Sequence, residues 1–430
     1  NGSGKLTISV WLKHCEAAEQ YVVTSYYSGN YWGDLRFLSN GAISFQDYRN
    51  SYIFKLETTA KFLDSTSWYH VVVNFDNTLA SPTGKIYVNG VLQALSTTNQ
   101  YSQNETSSFL TDYTLNIGTY NSGSNWNGSM ADLYYIQGQV YEASTFGSIN
   151  STSGEWKPNP SPTIDYSSTG NNSFHMKFED ASNLDLDSGD NTLTFSTTGS
   201  PTQTLDCPSN NFATWNPLDN YYPAMTLSYG NTRALTVTNK YTYTPTTLGM
   251  TSGKYYAEIK CVAKSSSQIE MITGITSTSS ASTTDELGHF ANDYGYYSNT
   301  GEYRNNNTLS SYGNSWTQDD IIGIAVDLDN NKLYFAKNGT WQNSGDPTSG
   351  ATGTGAISIT DPTSTPRGAY FFAVTNWSAS SNATFDANFG NGYFGTTAVS
   401  SAGTGASTPG TFEYDVPTGY QPLTTKGLNV

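Results

Sequence analysis

Two stretches far apart in the chain follow one alternating pattern, and this pattern constrains the fold more than any other feature. In residues 315–341, apolar side chains occupy every second position from Ile322 to Leu328. That spacing is typical of a strand with one buried face. Three residues that favour turns follow, then a second alternating run that ends at Asn338-Gly339, a strong signal for a tight turn. The stretch therefore predicts two antiparallel strands, each followed by a turn.

Residues 67–90 repeat this order with a different loop. Ser-Trp opens both stretches and Asn-Gly closes both, at Asn89-Gly90 in the first and at Asn338-Gly339 in the second. Two β-sandwiches of related design would produce such a repeat, and so would two unrelated hairpins. The remaining short alternating runs, separated by Gly, Asn and Ser, favour a sandwich or a barrel.

Composition supports an all-β fold, and the length suggests two or three domains. The chain has 430 residues, of which 14% are aromatic and only 13% charged, so disorder is not expected. Residues 154–217 are rich in Ser, Thr, Asn and Pro, with strands predicted only at 173–178 and 192–195. We place the boundary after Leu205, which gives domains 1–205 and 206–430. One helical turn is expected within 141–153.

The charge balance narrows the possible partners. The formal net charge is −16, and an acidic surface repels nucleic acid and anionic lipid, so neither is an expected partner. The absence of an apolar run of about 18 residues argues against membrane insertion. Cys15, Cys207 and Cys261 are odd in number and widely spaced, which fits neither a disulfide framework nor a zinc site. Because the first residues already alternate like a strand, we expect a fragment or a processed product.

Each half of the chain resembles a known domain family. The first half is similar to concanavalin-like, laminin-G-like jelly rolls, through residues 6–11 (LTISVW), 68–73 (WYHVVV), 85–90 (KIYVNG) and 127–133 (NGSMADL). The second half resembles the SPRY family, through residues 253–258 (GKYYAE), 320–327 (DIIGIAVD), 334–339 (YFAKNG), 387–390 (ANFG) and 417–420 (PTGY). The resemblance implies two tandem β-sandwich domains.

The segment that joins the halves extends the resemblance. Residues 146–147 (FG), 154–156 (GEW), 174–178 (FHMKF) and 208–214 (PSNNFAT) resemble a stretch found between these two domain types in bacteriophage proteins, many of them aquatic. There the tandem looks like part of a virion fibre or adhesin. In one departure, the laminin-G-like family usually has a further strand before the position of Leu6. We expect that strand to lie upstream, to be missing, or to come from a neighbouring subunit.

Catalytic and metal-binding patterns are weak. The sequence contains neither Gly-x-Ser-x-Gly nor His-Glu-x-x-His, which argues against the common hydrolase and zinc-protease sites. The carboxylates considered as a glycosidase pair are Asp185, Asp187 and Asp190, or Asp319 and Asp320, or Asp285 and Glu286. Laminin-G-like domains often hold calcium at a loop rim, and the possible ligands here are Asp34, Asp76, Asp185 and Asp187. We expect no enzyme activity and no cofactor other than a possible calcium ion.

Three loops dense in Tyr, Ser, Gly and Asn favour ligand binding, at residues 26–32, 120–126 and 292–303. Tyr and Trp offer rigid amphipathic surface, while Ser, Gly and Asn adapt their hydrogen bonds. Sugars present apolar faces and hydroxyl groups, so such loops suit glycans; packing at sandwich edges or subunit contacts is the alternative. The predicted ligand-binding residues are Tyr26, Tyr27, Tyr31, Trp32, Trp126, Tyr294, Tyr296, Tyr297 and Tyr303.

Together these observations predict a non-enzymatic fibre or adhesin on a virion surface, outside the cell, that recognises a host surface polysaccharide. Its other expected partners are further virion proteins and copies of itself, with a trimer favoured because fibres are often trimeric. Two alternatives stay open: a structural protein that decorates a capsid or spaces a fibre, and a polysaccharide-degrading enzyme.

Overall fold

The structure is a computed structural model. It describes residues 4–16, 18–121, 123–167, 172–220, 224–237, 242–266, 270–278, 285–377, 381–405 and 409–429. The chain divides into two compact units, unit 1 (residues 1–203) and unit 2 (residues 204–430). The sequence places the domain boundary between Leu205 and Asp206.

Unit 1 is built from fourteen described strands and one short helix, α1 (Ala143–Phe146). The strands are β1 (Lys5–His14), β2 (Gln20–Ser28), β3 (Tyr31–Phe37), β4 (Ile43–Arg49), β5 (Tyr52–Thr58), β6 (Tyr69–Asp76), β7 (Thr83–Val88), β8 (Val91–Leu92), β9 (Leu95–Asn99), β10 (Thr114–Ile117), β11 (Gly128–Gln137), β12 (Gly147–Ile149), β13 (Trp156–Pro158) and β14 (Phe174–Met176). A 3-10 helix spans Ser108–Leu110.

Two six-stranded sheets form the body of unit 1. Sheet A has the order β14-β11-β1-β6-β7-β8, and sheet B has the order β10-β2-β3-β4-β5-β9. Alternate residues of both sheets, such as Val10, Val73 and Phe45, are fully buried in one apolar cluster. Burial of each such side chain stabilises the fold by about 1.5–3 kcal/mol. Both sides of β1 are paired, one with β6 and the other with β11.

Unit 2 has the strands β15 (Thr226–Ser228), β16 (Arg233–Leu235), β17 (Thr242–Pro245), β18 (Lys254–Lys264), β19 (Glu270–Thr276), β20 (Asp293–Tyr297), β21 (Glu302–Asn305), β22 (Thr308–Ser311), β23 (Ile321–Asp327), β24 (Lys332–Lys337), β25 (Thr340–Trp341), β26 (Ile357–Ser358), β27 (Phe371–Trp377), β28 (Ala383–Asn388), β29 (Tyr393–Phe394), β30 (Thr397–Ala398) and β31 (Gln421–Pro422). Its 3-10 helices are Pro217–Asp219, Gln342–Ser344, Pro347–Thr352, Pro362–Ser364 and Gly427–Asn429.

Unit 2 is a second sandwich. A nine-stranded sheet contains β15-β16-β28-β18-β23-β24-β25, with β26 on β24 and β31 on β18, and a six-stranded sheet has the order β17-β27-β19-β20-β21-β22. Side chains from the two sheets, including Ile324, Phe335 and Val374, share one buried cluster. The prediction of an all-β chain with two tandem sandwiches is thus confirmed.

The two predicted hairpins are both present and close in the same way. β6 pairs with β7, and β23 pairs with β24, each pair antiparallel. Asn89 and Asn338 both adopt the left-handed conformation, with φ of 49° and 47°. Each Asn Oδ1 accepts a hydrogen bond from a backbone N–H of the first strand of its hairpin, that of His70 in β6 at 2.8 Å and that of Ile321 in β23 at 2.9 Å. The repeated Asn therefore supplies both the turn conformation and an acceptor for the facing strand.

The joining segment departs from the prediction in one place. The predicted strand at 173–178 is present as β14, and α1 lies within 141–153, where a helical turn was expected. Residues 192–195 form no strand. Leu193 and Phe195 nevertheless pack against the unit 1 core, which accounts for their alternation without a sheet partner. Within the ranges that the structure describes, no helix is long and apolar enough to cross a membrane.

Candidate functional site

The outer face of sheet B collects aromatic side chains from four neighbouring strands. The register of β2, β3, β4 and β5 places one residue of each in a row across the sheet. Because strand side chains alternate between faces, this row lies opposite the core-facing residues Leu35 and Phe45. We call it the aromatic row; its members are Tyr26, Trp32, Tyr48 and Tyr52.

The rings of the aromatic row contact one another in series. Trp32 and Tyr48 stack with ring centres 5.2 Å apart and planes 13° apart. Tyr52 meets the edge of Tyr48 at 5.2 Å and is 42% exposed. Tyr120 contacts Tyr26 at 5.4 Å and Trp32 at 6.2 Å. The row is thus a stepped, partly exposed apolar surface that carries phenol hydroxyls and an indole N–H.

A polar row runs beside the aromatic row on the same face, made of Thr24, Asp34, Gln46 and Lys55. Asp34 and Gln46 are fully buried, with the aromatic row on one side and Tyr21 and Arg36 on the other. Gln46 Nε2 donates to Asp34 Oδ2 at 3.3 Å. The ammonium group of Lys55 stands 5.0 Å from the centre of the Tyr52 ring, within the range of a cation–π contact.

Asp34 is the most perturbed carboxyl group of this face. Its Oδ1 lies 3.5 Å from Arg36 Nε and has no hydrogen-bond partner among the described residues. Burial raises the pKa of Asp34 to about 7, because the loss of solvation outweighs the attraction of Arg36 and the hydrogen bond from Gln46. The charge of Arg36 is also compensated by Glu19, whose Oε1 lies 2.6 Å from Arg36 Nη1. The face therefore pairs flat rings with a dense set of hydrogen-bonding groups.

Two other predicted site residues lie at the rim of sheet B. Tyr27 is 68% exposed and stacks on Tyr113 at 5.1 Å. Tyr31 contacts Tyr27 edge to face at 6.3 Å, and its hydroxyl accepts a hydrogen bond from Asn50 Nδ2 at 2.9 Å. Because Tyr31 neighbours Trp32 along one strand, the two side chains point to opposite faces. The rim is thus separate from the aromatic row.

Trp126 does not lie with the other predicted residues. It is half-buried and packs against Phe37, 5.8 Å away, next to the unit 1 core. Tyr120, from the same predicted loop, is the residue that reaches the aromatic row. Tyr48 and Tyr52 were also missing from the predicted set. Their spacing within strands was a usable signal, but their register against Trp32 depends on pairing that the sequence does not display.

Residues 292–303 do not form the aromatic binding loop that the sequence predicts. Residues 293–297 form β20, and Tyr294, Tyr296 and Tyr297 are all buried. Tyr296 stacks on Phe335 at 5.0 Å in the unit 2 core. Tyr303 is half-buried and contacts Tyr312 at 6.0 Å. Tyr294 and Tyr296 thus lie in the unit 2 core and Tyr297 in a second buried cluster, whereas the alternative drawn from the sequence was packing at sandwich edges or subunit contacts.

His70 is fully buried and lies next to the hydroxyl group of Ser9, so the pair resembles a catalytic Ser-His arrangement. Trp156 Nε1 can only donate, and it donates to His70 Nδ1 at 2.9 Å. In the neutral ring the proton therefore lies on Nε2, which donates to Ser9 Oγ at 2.9 Å. Burial lowers the pKa of His70 to about 3. A ring held in this tautomer cannot accept the Ser9 proton as a general base would.

The acidic candidates are engaged in local contacts. Asp187 accepts hydrogen bonds from the backbone N–H groups of His175, Gly189 and Leu193. Asp320 accepts hydrogen bonds from the backbone N–H of Thr317 and from Asn338 Nδ2. Glu286 forms an ion pair with Arg304, and Asp285 Oδ1 lies 3.5 Å from His289 Nε2. Asp76 bonds Thr78, and Asp185 bonds Thr197. Among the described residues, no three His, Cys, Asp or Glu side chains are placed to hold a metal ion; calcium binding stays a prediction.

Comparison with known proteins identifies both domains. A family model of the laminin G type, described as the concanavalin A-like lectin/glucanases superfamily, matches residues 1–141. The SPRY domain model matches residues 254–357. The chain therefore contains a concanavalin-like domain followed by a SPRY domain, and both are binding-type folds that suggest a binding or adhesin role.

One solved structure similar to this chain is the SPRY domain of human HERC1. The two share 14% sequence identity, and the match covers 40% of this chain and 96% of that one, with a TM-score of 0.33. This similarity is too low to bear on the function of either unit.

Proposed function

We propose that this chain is a non-enzymatic adhesin that binds a cell-surface polysaccharide on the outer face of sheet B. The observation that carries the proposal is the aromatic row, in which Trp32, Tyr48 and Tyr52 form a continuous, partly exposed surface. Aromatic rings of this kind match the apolar face of a sugar, while phenol hydroxyls and the neighbouring Lys55 supply hydrogen bonds to its hydroxyl groups. Binding of this kind needs no cofactor.

At a finer level, we propose that the protein belongs to a bacteriophage virion, as part of a head or tail fibre that attaches to the host. The support is the resemblance of residues 146–178 and 208–214 to the joining segment of such proteins. In this setting its partners are host glycan, other virion proteins and copies of the same chain, with a trimer favoured, and it acts outside the cell.

Binding of purified chain to intact candidate host cells tests the proposal. Wild-type protein is expected to co-sediment with a host. Tyr52→Ala and Trp32→Ala are expected to weaken retention about ten-fold or more, because each removes an aromatic contact. Leu79→Ala, which truncates a 45% exposed side chain in the turn after β6, is the matched control and should bind like the wild type.

Each other outcome points to a different function. If folded wild-type protein is retained by no host, the adhesin proposal fails and a capsid-decoration or spacer role is favoured. Equal retention of all variants would move the binding site away from sheet B. A fall in polysaccharide chain length during incubation would favour the degrading enzyme instead.

A further inference from the structure

Arg49 is the last residue of β4, at the rim of sheet B. Its guanidinium carbon lies 5.3 Å from the ring centre of Tyr31 and 5.9 Å from that of Tyr113. Tyr27 stacks on Tyr113 and is 68% exposed. We call this group the rim cluster; its members are Tyr27, Tyr31, Arg49 and Tyr113.

Within the described part of the chain, Arg49 lacks the carboxylate partner that each of the other arginines has. Of the five arginines in the sequence, the other four form ion pairs with carboxylates: Arg36 with Glu19, Arg233 with Asp386, Arg304 with Glu286 and Arg367 with Asp219. Over the described ranges, no acidic group lies within ion-pair distance of Arg49. Arg49 is thus the one arginine whose charge is not compensated by a carboxylate within the described ranges.

The guanidinium group of Arg49 also has an unsatisfied hydrogen-bond donor within the described part of the chain. Its Nη1 is buried and has no acceptor within the described part of the chain. The side chain as a whole is half-buried, so part of it still faces solvent. An unmet, partly desolvated guanidinium donor destabilises the ligand-free protein. Nε and Nη2 also have no acceptor among the described residues but, unlike Nη1, are not fully buried, so they are the donors that an incoming oxyanion can reach.

We propose that the rim cluster is a binding site for the carboxylate of an acidic sugar residue, with Arg49 as the anion-binding group. A guanidinium binds a planar carboxylate through two parallel N–H donors. The exposed face of Tyr27 offers a surface on which the sugar ring lies. This inference rests on the proposed function and narrows it, since it names the ligand as a polysaccharide that contains acidic sugar residues rather than a wholly neutral one.

The test compares acidic polysaccharides with their carboxyl-reduced forms, which keep the linkages and lose the charge. The probes are alginate, polygalacturonate and hyaluronate, each native and reduced, in affinity gel electrophoresis of the full chain. At least one native polymer is expected to retard the wild type more than its reduced form does. Arg49→Gln should weaken that binding about ten-fold or more and leave the reduced form unchanged.

Two further variants separate a specific contact from a general charge effect. Arg49→Lys keeps the charge without the paired donors and should recover only part of the binding. Lys61→Gln removes one positive charge from an exposed position of unit 1 and should bind like the wild type. Thermal unfolding of all variants is measured in parallel, and Arg49→Gln should unfold close to the wild-type temperature because Arg49 forms no ion pair with any described residue.

The outcomes distinguish this inference from the proposed function. If the chain binds only neutral or reduced polymers, or if Arg49→Gln weakens native and reduced binding equally, the anion site is refuted while the glycan adhesin stands. If it binds none of the polymers and no host cell, both fail. If the Lys61→Gln and Arg49→Gln losses are equal, the effect is nonspecific attraction and the rim site is refuted.

Discussion

Asp34 is a carboxyl group on the outer face of sheet B that has no exposed surface. Burial outweighs the neighbouring Arg36 and Gln46 and raises the pKa of Asp34 from 3.8 to about 7. Between these values the folded chain holds a proton that the unfolded chain has released. The free energy of unfolding therefore falls as pH rises through this range and levels off above it.

Replacing Asp34 with Asn should remove this pH dependence. A shift from 3.8 to about 7 corresponds to on the order of 4 kcal/mol between the two ends of the range. We expect the stability difference between wild type and Asp34→Asn to change by an amount of that order from pH 4 to pH 8, measured by urea unfolding at each pH. Asp112→Asn, at an exposed position, should keep the wild-type profile. A parallel profile for Asp34→Asn would mean that Asp34 does not titrate in this range.

At the scale of single elements, the two Asn-Gly hairpins are the clearest link between sequence and structure. In both, the Asn backbone adopts a left-handed conformation and the side chain accepts a bond from the facing strand. Such a position has two requirements, a tolerated positive φ and a short side-chain acceptor. Asn meets both, which is why the same dipeptide closes two otherwise different loops.

Asn89→Ala should therefore destabilise unit 1 by about 1–3 kcal/mol. Alanine leaves the His70 N–H without its acceptor and is strained at a φ of 49°. Asn89→Asp is the matched control, because it keeps an oxygen at the same place and tolerates the same conformation. Urea unfolding of the three proteins measures the difference. Equal losses for both variants would show that the hydrogen bond is not the source of stability.

The strands also show how much of the fold can be predicted from the sequence alone. Alternation with Asn-Gly turns was enough to predict β6, β7, β23 and β24, because both signals are local. It was not enough for residues 192–195, where Leu193 and Phe195 pack on the core without joining a sheet. Tyr294 and Tyr296 were misplaced because Gly and Asn near them suggest a loop, whereas β20 pairs with β19 and β21 and turns both tyrosines into the unit 2 core.

The candidate site was predictable only in part, because it depends on which strands pair and in which register. Tyr26 and Trp32 stand out in a short aromatic stretch, but Tyr48, Tyr52 and Tyr120 join them through strand pairing and ring contacts. Arg49 has no local feature that marks it. Its proposed role follows from the ion pairs that the other arginines form and that Arg49 does not form with any described residue, a difference that only the folded chain displays.

On the scale of the whole molecule, each unit has its own apolar core. A unit with its own core is expected to fold alone. Residues 1–203 and 204–430, expressed separately, should each show strand-rich circular dichroism and a cooperative thermal transition. The proposed glycan binding should stay with residues 1–203. A non-cooperative transition for either piece would show that its core depends on the rest of the chain.

The position of β1 bears on how unit 1 responds to mechanical force. This strand lies inside sheet A and is hydrogen-bonded along its length to β6 on one side and β11 on the other. A pull transmitted through the N-terminal end of β1 runs parallel to both ladders, so their bonds are loaded together in shear rather than opened one after another. Unit 1 should resist traction from that end far better than a sandwich whose loaded strand lies at a sheet edge.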